Sequence, residues 1–248
     1  MINIIYSISI QPGKFGYTIY NHIFKHLSLD YLYKPVKIEN QNLLSDVLNL
    51  VIKTEMIKGI SISMPYKEFT YNYLKNNKNF KTLSKGWNSL NTLKKINDNK
   101  LLGKLTDTFI LEEYYEKFLK KNNHISKVFI IGKGAMSKLS YKFLSDLKYE
   151  VILLQRNNLT KNINKINKMK NVALINATPI YLDDIIKYQS ITIPTLDFPV
   201  RIDLKPENEL VFDGYQATKI QFKHQYEFYT ETKIDMEYIN KTCKLLFE

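Results

Sequence analysis

The sequence predicts an α/β fold built largely on parallel sheet, and three patterns carry that prediction. Strand-like and helix-like apolar periodicities alternate along the first third of the chain. A strand, a glycine turn, a helix and a second strand follow in close order at residues 128–154, and two helical stretches close the chain.

Residues 3–10 read as a strand and residues 11–16 as a Gly/Pro loop, after which Ile19, Ile23, Phe24 and Leu27 mark the apolar stripe of a helix. A β-like stretch at 31–38 precedes helical spacing at 43–56 and alternation at 58–64; Pro65 then opens a helix through Phe69 and Tyr73. Alternation of this kind favours parallel strands, because parallel neighbours need a crossover that a helix supplies. Further along, strand 128–131, helix 136–147 and strand 151–154 form a βαβ unit. Strands at 172–175, 191–196 and 210–212 extend that sheet, with a helix expected at 182–188 and closing helices at 217–230 and 235–247.

Composition bounds the function classes. The 248 residues, 44% hydrophobic and 24% charged, suffice for the core of one large or two small domains. The amino-terminal segment lacks the basic region of a signal peptide, and no run approaches the roughly 18 apolar residues of a membrane span. A cytoplasmic or organelle stroma-like location is expected, with no membrane partner. The single Cys243 excludes an intrachain disulfide and reads as a small core residue. The net charge of +12 is spread along the chain, and arginine occurs only at 156 and 201. Its densest stretch sets Lys161, Lys165, Lys168 and Lys170 around Ile163, Ile166 and Met169, the spacing of a solvated helix face rather than a nucleic-acid footprint. Such a field suits a phosphorylated cofactor or a carboxylate substrate. The expected partner is a small molecule, bound by a monomer or homodimer. His22 and His26 stand four apart as metal ligands can, but no third ligand accompanies them and no metal is expected.

Gly132-Lys133-Gly134-Ala135-Met136-Ser137 lies between the apolar strand and its helix. In such a turn the first glycine permits the bend, the second lets backbone N–H groups approach a pyrophosphate, and the helix N-terminus adds positive partial charge. A plain βα turn has the same outline, and Ser137 departs from the third position of the fingerprint. Scarcity favours the nucleotide reading: the chain has 8 glycines in 248 residues, about 3% where about 7% is usual, and spends two here. The second strand ends at Leu154-Gln155-Arg156-Asn157, without the Asp or Glu that takes the ribose 2′-hydroxyl of NAD. Arg156 suits the 2′-phosphate of NADP(H) instead.

Further segments follow one order: Gly59-Ile60-Ser61-Ile62-Ser63-Met64-Pro65-Tyr66-Lys67, Leu90-Asn91-Thr92, Gly103-Lys104-Leu105-Thr106-Asp107, the Gly132 turn, Gln155-Arg156-Asn157, Asn176-Ala177-Thr178-Pro179, and Asp213-Gly214-Tyr215-Gln216-Ala217 with Gln221. Together they resemble shikimate dehydrogenases, whose segments N-V-T-x-P-x-K, V-N-T, G-x-N-T-D, N-R-T and D-G-x-x-M stand in the same register. The resemblance implies reversible hydride transfer between NADPH and the ring carbonyl of 3-dehydroshikimate, a step of aromatic amino acid biosynthesis. It implies cofactor contacts at Gly132, Lys133, Gly134, Ala135, Gln155, Arg156, Asn157, Thr178 and Gly214. It also implies a substrate domain of residues 1–102 and 215–248, to which the C-terminal helices return, and a Rossmann-like NADP-binding domain of residues 103–214.

Lys67 stands at a helix start, where the dipole disfavours its charge and a carboxylate partner would favour it. The resemblance supplies Asp107 as that partner and implies a catalytic pair: the lysine hydrogen-bonds the reacting oxygen and moves its proton, and the aspartate orients the lysine. On residue type alone Lys67 is one solvated lysine among many and Asp107 a helix cap before Phe109. By the same resemblance Asn91 and Gln221 bind ring hydroxyls and Ser63 supplies a hydroxyl.

Departures cluster on the substrate side. The family's S-K-S segment, whose serines hold the substrate carboxylate, aligns with Lys14-Phe15-Gly16, which leaves Lys14 as the remaining anchor. Leu105 and Ser61 stand where the family has Asn, and Val200 about where a substrate-binding Tyr is expected. Three readings follow: a divergent shikimate dehydrogenase, a relative acting on another polyol such as quinate, or a non-catalytic NADP-binding protein.

Overall fold

Strand β1 (Asn3–Ser9) and strand β2 (Tyr31–Lys37) run parallel on either side of helix α1 (Lys14–His26) in sequence, and strand β3 (Ile57–Ile62) pairs parallel with β1 on its other edge after helix α2 (Gln41–Lys53). These belong to a computed structural model, which describes residues 2–97, 100–155, 157–202 and 207–248. The architecture is mixed α/β with mostly parallel sheets, in two units: Met1–Asp107 with Phe222–Glu248, and Thr108–Gln221.

The first unit holds a six-stranded sheet of order β2-β1-β3-β5-β6-β4. Helix α3 (Lys67–Leu74) and strand β4 (Phe80–Thr82) follow β3; strands β5 (Thr92–Asn97) and β6 (Lys100–Lys104) form an antiparallel pair, with β5 antiparallel to β3 and β6 parallel to β4. Ile8, Leu44, Leu48, Ile60, Ile62 and Leu93 form its core, each contributing about 1.5–3 kcal/mol by burial. The N-terminus of α2 is capped by Asn40, whose side chain accepts from the Leu43 N–H at 2.9 Å. Gly59 on β3 is required by contact: a Cβ there would come within 2.7 Å of the Tyr229 ring.

In the second unit, helix α4 (Thr108–Tyr114) runs into a π-helical turn (Tyr115–Leu119). Strand β7 (Lys127–Ile131), helix α5 (Ala135–Asp146), strand β8 (Glu150–Leu154), helix α6 (Leu159–Ile166), and strands β9 (Val172–Asn176), β10 (Thr195–Asp197) and β11 (Val211–Asp213) build a fully parallel sheet of order β11-β10-β9-β7-β8. Its central strands β7 and β9 are near-continuous buried apolar runs, whereas edge strand β8 leaves Leu153 exposed. The helix expected at 182–188 is replaced by two 3-10 turns, Leu182–Asp184 and Tyr188–Ser190. Asp183 takes the Tyr188 N–H at 2.9 Å, a donor that a continuous helix would use, and Asp197 takes the Leu182 N–H at 3.1 Å. Helix α7 (Gly214–Thr230) crosses the division between units, and helix α8 (Met236–Phe247) stacks Phe247 on Phe15 of α1 at 4.8 Å. Among the described residues, no helix is long and apolar enough to cross a membrane.

Candidate active site

The antiparallel pair of the first sheet decides where the chemistry gathers. Because β5 opposes β3 and β6 opposes β5, the end of β3, the start of β5 and the end of β6 lie at the same end of the sheet. Lys67 lies just past β3 as the first residue of α3, Asn91 immediately precedes β5, and Asp107 follows β6. Lys67 Nζ donates to Asp107 Oδ2 at 2.6 Å, and Asn91 Nδ2 donates to Asp107 Oδ1 at 2.9 Å. Both side chains of the ion pair are enclosed, at 11% and 3% exposure. Taking two charges out of water is costly, and the second donor on the carboxylate helps offset that cost.

The surrounding groups are hydrogen-bonded in turn. The Thr106 N–H donates to Asn91 Oδ1 at 2.7 Å, and the Thr92 hydroxyl donates to the same oxygen at 3.0 Å. Gln225 Nε2 donates to Thr92 Oγ1 at 3.0 Å, and the Tyr20 hydroxyl donates to Gln225 Oε1 at 3.1 Å. Residue types alone do not single out Gln225. Its signal is spacing: it stands one helical turn beyond Gln221 on α7, between the buried Phe222 and Tyr226. Gln221 is half-buried and falls in the second unit. Lys14 is exposed at the first position of α1, and Ser63 is exposed just past β3. Ser61, by contrast, is buried and shares a 2.8 Å hydrogen bond with the Tyr229 hydroxyl. At Gly16 a Cβ would lie 3.6 Å from the Tyr33 hydroxyl, so a phenol stands beside the position that lacks a serine.

The second sheet carries the glycine turn. Its strand order reverses at β7, and in such sheets ligands bind beyond the carboxyl ends of the strands at the reversal. Gly132 follows β7 directly with φ +132°, and a Cβ there would come within 2.6 Å of the Ala177 carbonyl oxygen, so only glycine fits. Gly134 is different: a Cβ would meet nothing within 4 Å, so the protein itself does not require glycine there. It caps α5 without a side-chain hydrogen bond, leaving the first-turn N–H groups beside an open approach. Ser137 is buried and donates to the Gly132 carbonyl at 2.9 Å, fixing the turn to the helix where the fingerprint has glycine. These features fit a pyrophosphate.

Lys133 is exposed and Ala135 half-buried in the same turn; Gln155 and Asn157 are exposed past β8. Arg156 lies outside the described residues. Thr178 is buried after β9, its hydroxyl donating to Asn176 Oδ1 at 2.8 Å. Gly214 opens α7, where a Cβ would collide with the Pro199 carbonyl oxygen. His22 and His26 stack at 6.3 Å, and no group of three or more candidate metal ligands occurs among the described residues.

Asp197 and His224 are among the groups that titrate away from their ordinary ranges. Burial pushes the Asp197 carboxyl up to about 6, against hydrogen bonds from Tyr188, Asn176 and the Leu182 N–H. Burial, with the nearby Lys104 ammonium, brings the His224 imidazole down to about 4. They act in opposite senses. An unfolded histidine takes up a proton near about 6.5, so the contribution of His224 is whole above that value and is lost as pH falls toward about 4. An unfolded aspartate releases its proton near about 3.9, so acidification from about 6 relieves the strain of burying Asp197. Replacing His224 with Gln is expected to flatten the acid decline of the melting temperature. Because the ring is only half-buried and partly screened, the gain at about pH 5 should be limited to about 1 kcal/mol. Superimposable acid profiles would exclude this role for His224.

No protein-family model matches the chain. Among curated proteins it is similar to a shikimate dehydrogenase-like protein of Haemophilus influenzae, 27% identical over 157 residues that cover 62% of this chain and 53% of that protein. It is 27% identical over 177 residues to the NADP(+) shikimate dehydrogenase of Clostridium beijerinckii, covering 65% of this chain and 62% of that enzyme. The match thus spans less than two thirds of either relative's length. Among solved structures, a shikimate 5-dehydrogenase-like protein superposes over 99% of both chains with a TM-score of 0.74 at 19% identity, which shows a common fold. The neighbours are those that the motif order points to, and the low identities fit a divergent relative.

Proposed function

We propose that this chain, a divergent relative of the shikimate dehydrogenases, is an NADP(H)-dependent oxidoreductase that interconverts a ring ketone and a ring alcohol on a small carboxylate, with 3-dehydroshikimate and shikimate the leading pair. The enclosed Lys67–Asp107 ion pair, with Asn91 on the same carboxylate, is the observation that carries this reading. In this reading Lys67, Asn91, Lys14 and Ser63 serve the substrate together with Gln221, and the Gly132 turn, with Lys133, Ala135, Gln155, Arg156, Asn157, Thr178 and Gly214, serves the nucleotide.

When bound, the nicotinamide ring supplies a hydride to the carbonyl carbon in reduction or accepts one in oxidation. As negative charge grows on the ketone oxygen, the Lys67 ammonium stabilises it and transfers a proton, so that alcohol and neutral amine result. Asp107 keeps the ammonium aimed, and solvent restores the proton. Asn91 offers its second amide N–H to a ring hydroxyl, its oxygen being taken by Thr92 and Thr106. Gly134 and the first turn of α5 present N–H groups to the pyrophosphate, and Arg156 pairs with the 2′-phosphate.

The missing serines at Lys14-Phe15-Gly16 favour a second reading, a related cyclic polyol such as quinate, because a lone ammonium anchors a carboxylate without the fixed geometry of two hydroxyls. The deciding experiment follows the absorbance of reduced nicotinamide with NADP⁺ or NAD⁺ against shikimate, quinate and related polyols. Turnover of shikimate with NADP⁺ is the expected result. Turnover of quinate alone reassigns the substrate, and nucleotide binding without turnover of any polyol replaces the enzyme reading with a non-catalytic one.

A further inference from the structure

Four hydrogen bonds lead from Tyr20 to Asp107, and every donor points the same way: Tyr20 hydroxyl to Gln225 Oε1, Gln225 Nε2 to Thr92 Oγ1, Thr92 hydroxyl to Asn91 Oδ1, and Asn91 Nδ2 to Asp107 Oδ1. Their surroundings fix that direction. The Thr106 N–H can only donate, so Asn91 Oδ1 must face it and the amide nitrogen must turn to Asp107. Gln225 Nε2 also faces the Asn91 backbone carbonyl at 3.5 Å, which leaves Oε1 to accept from Tyr20. Thr92 has one hydroxyl proton: its oxygen accepts from Gln225 while that proton goes to Asn91 Oδ1, which also accepts from the Thr106 hydroxyl at 3.1 Å. All five residues are buried, so water does not compete for these bonds.

We propose that Gln225 and Tyr20 are positioning residues of the reaction, acting through Thr92 and Asn91 to hold the Asp107 carboxylate in the one orientation that aims Lys67. This rests on the oxidoreductase reading and deepens it. Aligned hydrogen bonds polarise one another, so a phenol at the far end strengthens the bond that Asn91 makes to the carboxylate. Gln225 is the switch of the series. Without it, the Thr92 hydroxyl is released to turn toward Thr106 Oγ1, 3.2 Å away, and Asn91 loses a donor to its oxygen. The carboxylate is then held by a looser amide and the ammonium by a looser carboxylate. Packing is a separate matter: the Tyr20 ring stacks on Tyr33 at 4.2 Å, and Tyr20→Phe keeps that stack while removing only the hydroxyl.

Tyr20→Phe and Gln225→Met, both close in volume to the originals, test the idea with two readouts. In the isotopically labelled, ligand-free protein, the Asn91 side-chain amide proton that faces Asp107 should move upfield in both variants, further in Gln225→Met, while backbone signals of the second unit stay in place. In turnover, kcat should fall about fivefold in Tyr20→Phe and about tenfold in Gln225→Met, with KM for the nucleotide within about twofold. An Asn91 amide signal unmoved in both folded variants overturns the proposal, as does an unchanged kcat in both. If the unsubstituted chain turns over no polyol, the oxidoreductase reading fails by itself, and the amide signal still decides whether the series is coupled.

Discussion

Replacing Lys67 with Ala is expected to lower kcat by about 10²–10⁴-fold and to leave nucleotide affinity nearly unchanged. The lysine is asked to stabilise charge that exists only as the ketone becomes an alkoxide, so its loss should appear in the chemical step. A second effect must be separated from this one. Lys67 and Asp107 are an enclosed ion pair at 2.6 Å, and removing one partner of such a pair destabilises a fold by about 3–5 kcal/mol. Asp107 retains the Asn91 amide, which should hold the loss in Lys67 variants toward the lower value. Lys67→Met fills the volume that Ala leaves and serves as the partner variant. Rates are compared only where circular dichroism shows both variants folded. A folded Lys67→Met protein with near-native kcat would remove the lysine from the mechanism.

The other large effect belongs to Gly132. Gly132→Ala is expected to destabilise the second unit by at least about 3 kcal/mol and to abolish nucleotide binding. The backbone term arises because φ +132° suits glycine alone, a strain of about 1–3 kcal/mol, and the new methyl group would come within 2.6 Å of the Ala177 carbonyl. Gly134→Ala is the informative contrast, since its methyl group meets no protein atom within 4 Å. It should melt with the unsubstituted protein and lose nucleotide affinity alone. Calorimetric titration with NADPH beside thermal melts separates the two; a Gly132→Ala protein that melts and binds normally would refute the account of the turn.

The βαβ block was legible because its signals are local. Apolar runs at β7 and β8, a glycine turn and a 3.6-residue stripe all lie within one stretch. The antiparallel pair β5 and β6 escaped because Thr92-Leu93-Lys94-Lys95-Ile96-Asn97 does not look buried. Lys95 is nonetheless enclosed, its ammonium donating to the carbonyls of Ile52 at 3.0 Å and Thr54 at 3.1 Å at the C-terminal end of α2. A lysine that caps a helix end breaks the polarity pattern on which strand reading depends. That omission matters for the site, since this pair brings Asn91 and Asp107 to the end of the sheet where Lys67 stands. Residues 182–188 failed for the reverse reason: the spacing is helical, but the segment's own Asp183 takes the Tyr188 N–H that would continue the helix. The Lys67–Asp107 pairing, across 40 residues, was reachable only through motif order. Gln225 carried only the weak signal of standing one turn beyond Gln221, because its partners Thr92 and Tyr20 carry no chemistry of their own.

The polar network is also graded by the length of chain each bond must close. Asn91 to Asp107 spans 16 residues, Lys67 to Asp107 spans 40, and Tyr20 to Gln225 spans 205. At about 0.6 kcal/mol of loop-closure entropy per doubling, the longest closure carries about 2 kcal/mol more than the shortest. On a ribosome the ammonium, its carboxylate and the amide are all synthesised long before α7 emerges. The nascent chain therefore has every group of the ion pair in hand, and the glutamine arrives last, as the residue that locks an arrangement already made.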